Sequence, residues 1–154
     1  MRKQLGKDEK EDLNVQILSA FGIADFITKK QHAELVDENG VKRINVDGTM
    51  TFVYVNGVLI PTLQFLLKRQ ILPMIPIDMG AVKFITSGAD VMRPGIVSFT
   101  EELKKDQIVC VVDKMHNKPL AVGMMLLSGE DALKTTSGKT IKNLHWIGDV
   151  IWKL

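Results

Sequence analysis

Hydrophobic positions follow a helical rhythm near the start of the chain and then change to a two-residue one. In DEKEDLNVQILSA, residues 8–20, an acidic first turn precedes Leu13, Val15, Ile17 and Leu18, with Phe21 just beyond. That spacing predicts a helix starting near Asp8 and stopping at Gly22, a residue suited to the position after a helix. From Gln31 the period shortens. AELVDENGVKRINVDG reads as two short strands around Asn39-Gly40, the strongest short hairpin signal. TMTFVYV then alternates Met50, Phe52 and Tyr54 against Thr51, Val53 and Val55, and a further turn is expected at Asn56-Gly57. TLQFLLKRQI predicts a second helix with Pro61 or Thr62 at its start. Residues 1–72 are therefore expected to form an α+β domain.

The apolar run ILPMIPIDM holds Pro73 and Pro76, which rule out a helix interior or a central strand. An edge strand or connector is expected here, with a domain boundary at 72/73. Residues 73–154 are strand-rich: MRPGIVSF, QIVCVVD, PLAVGMMLL and IKNLHWIGDVIW. Turn signals separate them at Pro94-Gly95, His116 to Pro119, Ser128-Gly129 and Ser137-Gly138. Short strands at this spacing predict a small, mostly β barrel. One helix interrupts it near Gly80 to Thr86, and a helical turn is expected after Ser128. Gly88 suits a left-handed cap and Gly95 a tight turn.

Composition changes little of this picture. At 45% hydrophobic and 25% charged residues the chain is an ordinary globular one. No apolar stretch reaches membrane-spanning length, and the polar start of the chain lacks a secretory h-region. A lone cysteine, Cys110, excludes a disulfide framework and a cysteine-based zinc site; in its apolar run it reads as a buried strand residue. These features suggest a cytoplasmic protein. A net charge of +2 makes no argument for a polyanionic partner, and the halves on either side of Ile77 carry ten basic and nine acidic residues apiece. Any nucleic-acid surface must be a local patch. Between Asp131 and Asp149 there is no acid, whereas Lys134, Lys139, Lys142 and His145 are present.

Catalytic patterns are missing from the sequence. His32, His116 and His145 lack the spacing of a helical metal pair, Ser87 has no recognisable His partner, and the SGK at Ser137 is not a phosphate-binding loop. No enzyme, metal or cofactor is expected.

The order of the motifs in the second half resembles a known family. DMGAVKFITSGADVMRPGIV is similar to the signature of the PUA domain, and QIVCVVD, KPLAVGMM and SGKTIKNLHWIGDVIW follow in the expected order, with Gly123, Gly138, Asp149 and Trp152 in place. KEDLNVQILSAFGIADFI followed by VYVNGVLIPTLQFLL resembles the domain preceding PUA in the malignant-T-cell-amplified-sequence family of translation factors, most closely its archaeal stand-alone members. The resemblance implies an α+β domain followed by a PUA pseudo-barrel, and binding of structured RNA (tRNA or rRNA) by the helix, the loop after it and the last strand. Implied partners are the small ribosomal subunit and a protein translation factor. The implied RNA-binding residues are Lys83, Ser87, Gly88, Ala89, Met92, Arg93 and Pro94, with Lys139, Lys142 and His145 as further contacts.

Residue by residue, plainer readings stand beside these. Small residues at 87–89 let a backbone approach and expose main-chain N–H groups to phosphate, but a turn needs Gly88 and Gly95 in any case. Met92 and Pro94 can cover the barrel end, and Lys139 and Lys142 can form a solvated face. Asp90 reads as a turn residue, and Trp146 and Trp152, both placed in the last strand, as packing residues rather than base-stacking platforms. Two other functions remain open: a protein-interaction adaptor using the apolar connector Ile71 to Pro76, and an RNA-targeting subunit of a modification system.

Overall fold

The computed structural model describes all 154 residues, which form two five-stranded sheets that share a core. After the short strand β1 (Arg2–Gln4), helix α1 runs from Lys7 to Phe21 and stops at Gly22, which has φ 72° and donates its N–H to Leu18 O. Strands β2 (Ala33–Glu38), β3 (Val41–Val46), β4 (Thr49–Val55) and β5 (Val58–Pro61) then form an antiparallel meander in the order β1-β2-β3-β4-β5. Its turns fall at Asn39-Gly40, Asp47-Gly48 and Asn56-Gly57, each with both central residues at positive φ. Those angles give the twist that suits a two-residue hairpin.

Helix α2 (Leu63–Lys68) is capped by Thr62, whose hydroxyl accepts from Phe65 N–H. It ends sooner than the run to Ile71 suggested. Arg69 is already extended, and Leu72 precedes a proline, which disfavours helical backbone.

The second sheet has the order β6-β8-β9-β10-β7, from strands β6 (Met74–Ile77), β7 (Val91–Met92), β8 (Ile108–Asp113), β9 (Pro119–Met125) and β10 (Lys139–Trp146). Strand β6 is an edge strand parallel to β8, where a proline without an N–H can be accommodated. The chain after β7 returns to β6: Asp78 N–H bonds Gly95 O, and Val97 N–H bonds Pro76 O. This return curls the sheet into the PUA-type pseudo-barrel. Helix α3 (Val82–Ile85), preceded by a 3-10 turn at Met79–Ala81, covers one end, and α4 (Gly129–Leu133), capped by Ser128, is tied to Leu103 by the Gly129 N–H.

MRPGIVSF is a strand only at its beginning. Pro94 turns the chain into a 3-10 turn over Arg93–Gly95, leaving Ile96 to make an isolated bridge to Ile77. Trp152 likewise lies beyond β10, in a turn held by Asp149, whose Oδ1 accepts from Trp152 N–H at 2.7 Å.

Every residue of β8 is buried because the strand is covered on both faces. Val109 and Val111 point into the barrel with Ile75, Ile77, Ile85 and Ile141. Ile108, Cys110 and Val112 face the first sheet, meeting Val53, Ile60, Leu63 and Leu66. Strand β4 is the mirror case: Phe52 packs with Leu13 and Ile17 of α1, and Val53 packs against the barrel. The first sheet is thus held between α1 and the second sheet. At roughly 1.5–3 kcal/mol per fully buried aliphatic side chain, separating the two units is costly. Cys110 lies in this shared core, and burial pushes its thiol up to about 11, so alkylation is expected only when the chain unfolds, which a thiol-labelling assay in urea checks. The connector is likewise taken up in packing: Leu72, Ile75 and Ile77 are all buried, so it presents less apolar surface to an outside partner than its composition suggested.

Candidate nucleic-acid interface

Helix α3 is only one turn long, and its stripe is simple. Ile85 is buried and Val82 packs against the barrel, while Phe84 points outward and is 57% exposed. Beyond it the chain must reverse tightly to enter β7. Gly88 makes that reversal at φ 98°, and the indole of Trp146 rests against it so closely that an added Cβ would lie 2.8 Å from the ring. Asn143 of β10 ties the loop down. Its side-chain amide donates to Ile85 O and Ala89 O, and its own N–H donates to the Asp90 carboxylate at 2.9 Å.

Between α3, this loop, β7 and the Arg93–Gly95 turn lies an open cleft of about 740 Å³. Its apolar lining includes Phe84, Met92 and Pro94, and Gly88 and Ala89 form part of the wall. Lys139 stands at the rim, 3.3 Å from Asp90 Oδ2. Asp78 also lines the cleft, and no lining residue precedes it, so the first sheet and α1 leave the cleft uncovered. Lys83 flanks the cleft with its ammonium 5.2 Å from the centre of the Phe84 ring. An aromatic face, a thioether and two ammonium groups can accept an unstacked base and its flanking phosphates.

Of the residues expected from the sequence, Gly88, Ala89, Met92, Pro94 and Lys139 line one cleft and Lys83 adjoins it. The rest stand elsewhere. Ser87 is exposed but turns its hydroxyl back onto Lys83 O at 2.7 Å. Arg93 is half-buried, donating to Ala132 O at 3.0 Å and stacking over Phe99, so its guanidinium holds α4 rather than facing the cleft. Lys142 is one residue out of phase with Ile141 and Asn143, which turn toward α3, and it therefore lies on the other face of β10.

His145 has no surface to offer. It is 0% exposed, its Nε2 accepts from Leu63 N–H at 3.1 Å, and its Nδ1 lies 2.8 Å from Asp149 Oδ2. Because a backbone N–H can only donate, the ring proton must sit on Nδ1. Burial works to raise the Asp149 carboxyl, but hydrogen bonds from His145, Trp152 and Trp146 outweigh it and hold the group below the usual carboxylate range.

The expected exposed N–H groups are also absent. Ser87 N–H and Ala89 N–H both bond Phe84 O, and Gly88 N–H bonds Ile85 O. The helix end consumes these donors, as left-handed caps commonly do. A phosphate here would meet lysines, not main chain.

Phe84 is not among the residues expected from the sequence. In GAVKFIT the helical spacing pairs Val82 with Ile85 on the buried side, which leaves the aromatic residue between them outside. An aromatic off the buried stripe was the available signal.

Adding a side chain at 88 tests the wall. A Gly88→Val variant meets both the indole and an unfavourable positive φ, and is expected to lose about 2–3 kcal/mol and to shift tryptophan fluorescence. Chemical denaturation followed by emission measures both effects.

The family model described as the PUA domain matches residues 73–147. A protein of uncharacterised function from Methanocaldococcus jannaschii is 41% identical over 133 residues, covering 84% of this chain and 81% of its own. Translation machinery-associated protein 20 of Saccharomyces cerevisiae is 31% identical over 138 residues, covering 84% and 76%. This chain belongs to their family. Its members also include proteins named malignant T-cell-amplified sequence 1. The crystal structure of a hypothetical protein from Pyrococcus horikoshii superposes with a TM-score of 0.85 at 29% identity, over 99% of this chain and 98% of that one. The fold is thus shared with that protein over nearly its whole length.

Proposed function

We propose that the chain is a non-catalytic RNA-binding protein of the translation machinery that seats structured RNA, a tRNA or a ribosomal RNA, at the cleft beside α3. The observation that carries this reading is the pairing of exposed apolar surface, Phe84 and Met92, with Lys83 and Lys139 around an uncovered cleft. Stacking on such surface tolerates many bases, and the lysines add a salt-dependent term. Membership of a family with a translation machinery-associated protein supports the setting. On this reading the partners are the small ribosomal subunit and a protein translation factor, with a role in initiation or recycling.

Two substitutions separate the contributions. Phe84→Ala should weaken binding of tRNA or ribosomal RNA fragments by about 1–3 kcal/mol with little change in salt dependence. Lys83→Ala and Lys139→Ala should each flatten the plot of log K against log salt by roughly 0.7–0.9. Fluorescence anisotropy over a range of salt concentrations measures both. Unchanged affinity in all three folded variants would remove the cleft from the account.

A further inference from the structure

The turn between β8 and β9, KMHNK at residues 114–118, carries a second basic surface that adjoins the cleft. It is a built turn. Asp113 is buried, and its carboxylate accepts from His116 N–H at 2.6 Å and from Lys118 N–H at 3.1 Å. Asn117 takes φ 52° and donates its N–H to Asp113 O. The one acid of the turn is therefore spent inward, and these bonds hold its carboxyl below the usual carboxylate range.

What faces outward is Lys114, Met115, His116 and Lys118, with Met115 65% exposed. The turn is also joined to the cleft. Lys114 N–H bonds Ile77 O, and its ammonium lies 3.9 Å from Asp78, the carboxylate at the cleft's rim. An exposed ion pair at that separation is weak, so Lys114 can exchange Asp78 for a phosphate at little cost.

Lysines on a hairpin are more often solvated than engaged. Here the backbone is fixed in advance, the carboxylate of Asp113 is hydrogen-bonded inside the turn, and the surface continues into an apolar cleft. We propose that this turn is a second RNA-contacting arm, its Lys114 and Lys118 gripping the phosphate backbone of the strand that enters the cleft past Asp78. The proposal rests on the RNA reading above and extends its footprint past Asp78 to the β8–β9 turn.

The test compares the wild type with two double variants and Phe84→Ala on one probe, a stem-loop RNA with a single-stranded tail. A Lys114→Ala/Lys118→Ala variant is expected to bind roughly ten-fold more weakly near 0.1 M salt and to lose about 1.4–1.8 from the salt slope. Its melting temperature should match the wild type because both side chains are exposed. Lys104→Ala/Lys105→Ala removes the same charge from the groove beside α1, away from the cleft, and should bind as wild type does. Equal losses in both double variants would mean diffuse attraction and overturn the arm. So would an unchanged slope in the 114/118 variant while Phe84→Ala weakens binding; that result leaves the cleft intact. No binding by the wild type would overturn arm and cleft together.

Discussion

A Gly129→Ala variant is expected to lose roughly 3 kcal/mol or more of folding stability, a drop of about 6–12 °C in melting temperature for a chain of this size. Gly129 opens α4, and its N–H bonds Leu103 O at 2.7 Å. A Cβ there would lie 2.1 Å from Thr100 O and 3.0 Å from two backbone atoms of Glu101. No rotamer relieves a clash with main chain, so the segment bearing Leu103 must move out of the barrel core. Gly138→Ala provides the contrast. That residue has φ 89° but open space around it, so only backbone strain of about 1 kcal/mol is added. Calorimetric scans of the two variants distinguish space from conformation as the reason for each glycine.

Replacing His145 with alanine should be comparably damaging, at about 3–5 kcal/mol. The substitution removes a fully buried ring, leaves Leu63 N–H without an acceptor at the start of α2, and deprives Asp149 of a donor. Because Gln64 also donates to Trp152 O, this small network joins α2 to the turn that follows β10. Its acid dependence follows from the depressed Asp149 carboxyl. A group whose folded value lies below its unfolded value contributes stability above the unfolded value and loses it as pH falls through the folded one. Asp149→Asn should therefore differ most from wild type near neutrality, with the gap closing in acid. Urea melts at a series of pH values check the sign; a gap that widened in acid would contradict it.

Local signals made most of the elements legible in the sequence. Asn39-Gly40 and Asn56-Gly57 sit at the positive φ their residue types favour, and the acidic turn and Gly22 mark the ends of α1. Strand β1 escaped notice because Arg2, Lys3 and Gln4 have no apolar alternation; backbone pairing with β2 orders them. Asp47-Gly48 carries the same kind of signal in the sequence, and both residues take the positive φ of a hairpin turn.

The cleft was legible by half. Gly88, Met92, Pro94 and Lys139 came together, whereas Lys142 could have been set aside by parity alone, since a strand that turns Ile141 and Asn143 toward α3 turns Lys142 away. His145 could not. A histidine among basic residues reads as surface until a partner 82 positions away, Leu63, is brought to its ring. The consumption of the N–H groups at 87–89 is also a three-dimensional fact, set by how tightly α3 ends.

Whether RNA meets this chain at the cleft beside α3 can be read by amide shift mapping. With a stem-loop RNA added to isotope-labelled protein, perturbations should concentrate in residues 79–95 and around Lys139, leaving α1 and strands β1 to β3 unmoved. Perturbations gathered on α1 and those strands, with Phe84 and Met92 silent, would contradict it.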